Sequence, residues 1–200
     1  RYFCMKLDIT SWPKFLDTDN GTHHEMDFVQ FVKKLGEHRI VNDKNDTPII
    51  FAGKRENNSR AKGTKTEAKT NLLVIDLDKN PECPLERLKT AFKGTQSYGH
   101  TTYSHDPTNN NHCWRWWVFT KEPLSVHNHK DAYWNMINGN PTLKQMSDEK
   151  LLDHKADEVD RGYFVPSISE ERKEFANTYV STGVPFKVNT QKASIPKNDS

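Results

Sequence analysis

The sequence has few cysteines, no long apolar run and almost no net charge, and each shortage excludes a class of protein. The three cysteines among 200 residues form no C-x-x-C pair, and any disulfide scheme leaves one of them unpaired. This pattern favours a reducing compartment and argues against a structural zinc site. No apolar stretch approaches the roughly 18 residues of a spanning helix, and no signal-peptide pattern opens the chain. We therefore expect a soluble, intracellular (cytoplasmic) protein with no membrane partner.

The low apolar content still leaves enough material for a folded core. Apolar residues make up 34% of the chain and the mean hydropathy is −0.91, but five Trp, six Tyr and ten Phe supply large side chains for burial. The length suits one large domain or two small ones. A net charge of +2 gives no argument for nucleic-acid binding by the chain as a whole, so any basic surface must be local.

The most informative stretch is the segment 71–80, in which an apolar run ends in two acids. The residues 72–75 are apolar and include β-branched side chains, which is typical of a buried strand. Side chains alternate between the faces of a strand, so Asp76 and Asp78 should point to the same side. Two such carboxylates repel each other, and Mg²⁺ or Mn²⁺ with phosphate oxygens in its shell would relieve the repulsion. The same acids would equally suit a structural role as caps of the next turn.

From residue 72 onward, the predicted elements follow the order strand, helix, strand, strand, helix, strand. Periodicity and turn residues place helices at 84–93, 131–137 and 143–152, and strands at 72–76, 97–105, 113–120 and 161–166. This order is that of the RRM-like, or ferredoxin-like, fold. In that fold the first and third strands are central neighbours and both helices cover one face of the sheet. The other face would be open for a substrate.

The segments before residue 62 predict a smaller N-terminal α/β lobe. These segments show a strand-like alternation at 2–9, helical spacing at 24–35 with Gly36 as a C-cap, and a β-prone run at 47–53. Residues 54–70 are polar and lack periodicity, so they form either an ordered loop that grips a ligand or a disordered crossing. The prediction is an α/β (α+β) protein with a lobe at 1–62, an RRM-like catalytic core at 63–187 and a flexible tail or linker at 188–200.

Candidate phosphate-binding residues lie on the strands that follow the acidic one. Ser104 and His105 end a strand just before a polar loop, and Arg115 lies within an aromatic run. The fixed fork of donors on Arg115, with His105 beside it, would suit a phosphate. An aromatic core strand with one exposed arginine is the simpler interpretation of the same run.

A further group of acids lies at 153–160, after the apolar pair Leu151–Leu152. Four carboxylates there are candidates for a third metal ligand: Asp153, Asp157, Glu158 and Asp160. Runs of this kind are usually solvated loops. Arg161 follows the run and opens the last predicted strand.

In this order, three of these segments resemble the signature motifs of archaeo-eukaryotic-type primases and primase-polymerases. Val74–Asp78 looks like their hydrophobic-D-x-D motif, Tyr103–His105 like a short form of S-x-H, and Leu151–Asp153 like hydrophobic-hydrophobic-D. The resemblance covers about residues 50 to 170. It is to the primase modules that phages, plasmids and mobile islands place before a helicase.

The resemblance implies a template-directed nucleotidyl transferase that makes primers on single-stranded DNA from NTP or dNTP, with a helicase domain or partner. The metal ligands, holding two Mg²⁺ or Mn²⁺ ions, would be Asp76, Asp78 and Asp153, with Asp157 as the alternative third ligand. The triphosphate would be bound by Ser104, His105, Arg115 and Arg161. Template or triphosphate contacts would come from Lys54, Arg55 and Arg60. Asp76→Ala and Asp78→Ala are each expected to abolish synthesis and leave the fold intact, because the two carboxylates repel each other.

Other functions fit part of the same pattern. A phosphatase of the haloacid dehalogenase type would use Asp76 as nucleophile and Asp78 as general acid, but that family has Thr or Val in place of Asn80 and a parallel βαβ fold. A non-catalytic RRM-like module would bind single strands by stacking bases on aromatic residues, here Tyr103, Trp114, Trp116 or Trp117. An inactive replication initiator would bind DNA and nucleotide without forming bonds.

Overall fold

The computed structural model describes residues 6–61 and 70–196, whose strands form two antiparallel four-stranded sheets and one parallel pair. In chain order the elements are β1 (Leu7–Trp12), β2 (Thr22–Met26), α1 (Phe28–Leu35), β3 (Arg39–Ile40), β4 (Ile49–Ala52), β5 (Thr70–Asn80), α2 (Leu85–Ala91), β6 (Gln96–Thr101), β7 (His112–Leu124), α3 (His129–Asn138), α4 (Pro141–Asp148), β8 (Gly162–Phe164), β9 (Ser167–Ile168) and β10 (Thr178–Thr182). The expected mixture of helices and strands is confirmed. Among the described helices, none has the length and apolar character needed to cross a membrane.

The N-terminal sheet has the strand order β2-β1-β4-β8. Residues 22–26 pair with β1 as strand β2, so the helix predicted from residue 24 begins only at Phe28. The physical reason is a capping box: the Asp27 side chain accepts from the Gln30 backbone, and the Gln30 side chain accepts from the Asp27 backbone. The helix ends at Leu35, with Gly36 as the expected C-cap.

The central sheet has the order β10-β6-β7-β5 and carries the acidic strand β5 at one edge. The expected neighbours β5 and β7 pair with Asp76 opposite Arg115, and β6 places His100 opposite the same arginine from the other side. The predicted closing strand of the RRM-like fold, residues 161–166, instead forms β8 and pairs with β4 of the N-terminal sheet. The central sheet is completed by β10, which pairs with β6. The strand order therefore differs from the RRM-like order at the closing strand.

Both faces of the central sheet are covered near its middle. On one face, alternate residues of β5 and β7, among them Trp114 and Trp116, pack against α2, α3 and α4. On the other face, Val74 and Trp117 share a core with α1 and the N-terminal sheet. The prediction of an open sheet face is therefore wrong for this region, because the N-terminal lobe covers it. Asp76 follows Val74 on the same face, at the end of the covered part.

Two features of the structure concern the predicted lobe and the predicted tail. One core cluster contains residues from both sides of position 62, so the two predicted lobes share part of their core. Residues 188–196 lie against α3, where Asn135 Nδ2 donates to Asn189 O at 3.0 Å and to Gln191 O at 2.7 Å. Ala193 in this segment is buried. Residues 62–69 of the polar loop lie outside the described part of the chain.

Candidate metal and phosphate site

Three carboxylates from two distant chain segments meet beside β5. One oxygen of each of Asp76, Asp78 and Asp153 lies within 4.8 Å of the others. Asp76 is 1% exposed, Asp153 is half-buried and Asp78 is exposed. The backbones also meet, because Asp153 N–H donates to Asp76 O at 2.8 Å. The D-x-D pair and the third acid of the sequence pattern therefore lie in one cluster.

Asp153 is placed by the apolar residues before it and by the turn after it. Leu152 is buried in the core on the helix side of the sheet, and Leu151 packs against that core. Asp153 then caps the short turn His154–Asp157, with its Oδ1 accepting from Lys155 N–H at 3.0 Å. The two apolar residues before Asp153 thus fix the position of its carboxylate.

Arg115 holds Asp76 from the neighbouring strand. Arg115 Nε and Nη2 donate to Asp76 Oδ1 and Oδ2 at 3.1 Å and 2.8 Å, which is a two-point ion pair. Arg115 Nη1 donates to Phe164 O at 3.1 Å and so joins β7 to β8. Burial would disfavour an unpaired guanidinium, but the Asp76 charge and hydrogen bond raise the pKa of Arg115. The arginine that the sequence placed in an aromatic run is therefore a buried partner of the first acid.

Arg161 bridges the two ends of the cluster. Its Nη2 donates to Asp153 Oδ2 at 2.7 Å and lies 3.7 Å from Asp76 Oδ2. The Tyr163 ring supports both arginines, with the Cζ atoms of Arg115 and Arg161 at 4.8 Å and 5.8 Å from its centroid. Strand β8, which pairs with the N-terminal sheet, thus supplies the aromatic ring that both arginines of the site contact.

The carboxylates of the cluster outnumber the guanidinium groups that pair with them. Three carboxylates face two guanidinium groups, and within the described residues Asp78 has no hydrogen bond or ion pair to its side chain. The surrounding protein desolvates the Asp78 carboxyl group and the Asp76 charge opposes its ionisation, and both effects raise its pKa. Oxygen-only ligands suit hard cations such as Mg²⁺ and Mn²⁺. A divalent cation would supply the ion pair that Asp78 lacks among the described residues.

The raised pKa of Asp78 predicts a dependence of stability on pH in the absence of metal. An acid whose pKa is higher in the folded state binds more protons when folded, so the free energy of unfolding falls as pH rises from the ordinary value of 3.8 through the raised one. Asp78→Asn removes this component, and we expect the variant to gain stability relative to wild type across that interval. Urea unfolding in EDTA at a series of pH values measures the gain. A difference that does not change with pH would contradict the shift.

His105 lies on the turn between β6 and β7 with one ring nitrogen fixed. Cys113 N–H donates to His105 Nδ1 at 3.1 Å, so Nδ1 is the acceptor and the proton is on Nε2. Burial, with the nearby His112 and His38, lowers the pKa of His105 to about 4, and the ring is neutral at pH 7. Nε2–H is thus a neutral donor of the kind that binds phosphate oxygens. Ser104 is exposed on the same turn.

The Asn-rich loop after His105 is held by its own side chains. The two Asp106 carboxylate oxygens accept from Thr108 Oγ1 at 2.6 Å and Asn109 Nδ2 at 2.7 Å. Asn111 Nδ2 donates to Ser104 O at 2.7 Å. These bonds close the loop on itself, and Cys113 then connects it to the carboxylates, because its Sγ accepts from Lys79 N–H beside Asp78 at 3.5 Å.

Lys44 is a cation of the site that the sequence pattern did not single out. It lies in the turn Lys44–Asp46 of the N-terminal lobe, with Nζ 4.9 Å from the centroid of the Phe164 ring. Its charge acts on Asp78 and partly opposes the rise in the pKa of that acid. A lysine in a polar turn carries no periodicity or motif, so the sequence gives no signal for it.

The basic residues predicted to touch template or triphosphate have different environments. Arg55 is 3% exposed and its Nη1 pairs with Asp160 Oδ1 at 2.5 Å, so it joins the N-terminal lobe to the segment after Asp153. That burial is inconsistent with a template contact. Arg60 is half-buried with its Cζ 5.0 Å from the Phe15 ring centroid, whereas Lys54 is exposed.

Asp157, the alternative third acid, belongs to the helix side of the molecule. Its Oδ2 accepts from Trp134 Nε1 at 2.9 Å and lies 3.1 Å from Lys130 Nζ. Asp157 is buried and holds α3 in place. Of the two candidates, the structure brings Asp153 to the carboxylate cluster.

The aromatic residues of β7 form core and not a binding surface. Trp114, Trp116 and Trp117 are each at most 1% exposed. A base cannot stack on a ring that protein atoms cover on both faces. The hypothesis of a single-strand binder that stacks bases on these three tryptophans is therefore wrong.

Comparisons with family models, with curated proteins and with solved structures find no match for this chain.

Proposed function

We propose that the protein is a template-directed nucleotidyl transferase, a DNA primase or primase-polymerase that makes primers on single-stranded DNA. The observation that carries the proposal is the meeting of Asp76, Asp78 and Asp153 in one cluster. These acids belong to the first and third segments of the primase-like pattern. The second segment, with His105, is tied to the same strands through Cys113.

The proposed reaction is attack of a 3′-hydroxyl group on the α-phosphate of an NTP or dNTP, with release of pyrophosphate. Asp76, Asp78 and Asp153 would hold two Mg²⁺ or Mn²⁺ ions, which when bound supply activation of the hydroxyl group and neutralisation of the triphosphate. Arg115 fixes the plane of the Asp76 carboxylate by its two-point pair. The chain thus contributes mainly position and charge.

Arg161 and His105 are the proposed triphosphate ligands. The side chain of Arg161 is 23% exposed against 10% for Arg115, and it holds Asp153 through one nitrogen. Arg161 is therefore the arginine that can turn towards a phosphate at lower cost. His105 would donate Nε2–H to the triphosphate without adding charge, and Lys44 would face it from the N-terminal lobe.

The proposed catalytic core is RRM-like in β5, α2, β6 and β7, which follow the expected order with β5 beside β7. The closing strand is the point of difference. Because the N-terminal lobe covers the middle of the sheet, we place the single-stranded template at the end of the sheet, between the lobes. We further propose that the protein acts with a helicase domain or partner. Its setting would be the replication of a phage, plasmid or mobile element inside a host cell.

A second candidate is a replication-initiator module that binds DNA and nucleotide without catalysis. The observation that favours it is the Arg115 pair, which already occupies both oxygens of Asp76. A phosphatase of the haloacid dehalogenase type is less well supported, because β5 pairs with an antiparallel strand and not within a parallel βαβ unit.

Incorporation of labelled nucleotide on a single-stranded DNA template tests the proposed function. We expect products with Mn²⁺ or Mg²⁺ and none in EDTA, and products without a primer would establish priming. Binding of template and nucleotide in EDTA, without product under any metal condition, would support the second candidate instead.

A further inference from the structure

The turn that carries Ser104 and His105 is held by a residue outside the three motifs, Arg172. Arg172 lies in the short helical segment Glu170–Phe175 that follows β9. Its Nη1 donates to His105 O at 3.4 Å and its Nε donates to Ser169 Oγ at 3.1 Å. Its Cζ lies 5.3 Å from the centroid of the Tyr103 ring. The guanidinium group thus contacts both ends of the three-residue turn.

Tyr103 connects the turn to the N-terminal lobe. Its hydroxyl group donates to Asn42 O at 3.0 Å while its ring lies under Arg172. The segment before Arg172 is fixed to the same lobe, because β9 pairs with β3 and Val41 N–H donates to Ile168 O at 3.0 Å. The turn is therefore clamped between two segments that are themselves joined.

Three hydrogen bonds hold His105. Its Nδ1 accepts from Cys113 N–H, and its backbone N–H donates to Thr102 O at 2.9 Å. The carbonyl group of His105 is the remaining anchor, and it accepts from Arg172. If that carbonyl is released, the peptide can rotate, and the alignment that keeps Nδ1 as the acceptor is weakened.

We propose that Arg172 is a positioning residue for His105, which holds the turn 103–105 so that His105 Nε2–H is presented to a bound triphosphate. The choice of ligand rests on the proposed function, whereas the hold on the turn rests on the contacts alone. Arg172 itself does not touch the nucleotide.

The test compares Arg172→Gln and Arg172→Lys with Lys173→Gln. Lys173 is exposed, carries the same charge one residue away and pairs with Glu170, so its variant is a matched control for charge. We expect Arg172→Gln to raise the KM for the incoming nucleotide about tenfold, with a smaller change in kcat. The reason is that the variant loses about one hydrogen bond and the stacking of the guanidinium group on Tyr103. The KM of Arg172→Lys should lie between those of wild type and Arg172→Gln, because lysine keeps the charge over Tyr103 but lacks the forked donors of the guanidinium group.

A second measurement follows the His105 ring directly and requires no activity. Long-range ¹H–¹⁵N correlation spectra of the histidine rings should give the Nε2–H tautomer in wild type and Lys173→Gln, and a mixture of tautomers in Arg172→Gln. An unchanged tautomer with an unchanged KM in Arg172→Gln would overturn the inference. If wild type incorporates no nucleotide, the proposed function fails, and the tautomer comparison still decides whether Arg172 positions the ring.

Discussion

Replacing Asp78 by asparagine is expected to lower metal-dependent nucleotide incorporation by at least about 10³-fold. Asp78 is exposed, has no hydrogen bond or ion pair to its side chain among the described residues, and is opposed by the Asp76 charge. The amide keeps the shape of the side chain and removes the charge that a divalent cation needs. Stability should therefore be retained or should rise slightly, because a repulsion is removed. Rates at saturating Mn²⁺ on a primed template, with urea unfolding of the same samples, measure both effects.

Glu158→Gln is the matched control for this loss. Glu158 is an exposed carboxylate on the segment that follows Asp153, and it is not part of the carboxylate cluster. It should keep near wild-type activity. Equal losses in the two variants would indicate a general effect of surface charge on DNA binding, and full activity of Asp78→Asn would remove Asp78 from the site.

Asp76→Ala is expected to lower the free energy of unfolding by about 3–5 kcal/mol, in addition to any loss of activity. Asp76 is 1% exposed and is the two-point partner of Arg115, which is itself 8% exposed. Removing the carboxylate leaves a buried guanidinium without its counter-charge. Urea unfolding of Asp76→Ala and Asp78→Ala under the same conditions measures the difference.

This result would correct the expectation that either acid can be removed without cost to the fold. The sequence alone makes Asp76 and Asp78 look equivalent, because both lie at the end of one predicted strand. In the structure Asp76 is the acid that pairs with Arg115, and this pair makes the two acids differ. Equal stability of the two variants would contradict the buried ion pair. The double variant Asp76→Leu with Arg115→Met should recover much of the lost stability, because a buried pair can be replaced by apolar residues of similar size. Inactivity of Asp76→Ala alone is thus poor evidence for catalysis.

The parts of the fold that the sequence predicted well depend on local patterns. The apolar run before Asp76, the helical spacing around Leu88 and the β-prone run around Trp116 each lie in an element of the expected kind. Alternation along β5 likewise placed Asp76 and Asp78 on one side. Such signals need no knowledge of the rest of the chain.

The parts that were missed depend on which segments meet. The segment 162–164 is strand-like, as predicted, but its pairing with β4 is a tertiary choice that its own residues do not encode. Arg115 and Arg55 are both arginines among polar or aromatic neighbours, and only the positions of Asp76 and Asp160 decide that both are buried in ion pairs. The same holds for Asp153 and Asp157, which differ in whether β5 or α3 lies beside them.

The most direct test of the central claim is a count of bound Mn²⁺ by electron paramagnetic resonance, with a non-hydrolysable nucleoside triphosphate present, for wild type and Asp78→Asn. If Asp76, Asp78 and Asp153 form a catalytic metal site, wild type should bind about two ions per chain and Asp78→Asn should lose at least one of them. Equal Mn²⁺ binding by the two proteins, or none by either, would contradict the assignment of this cluster as the metal site.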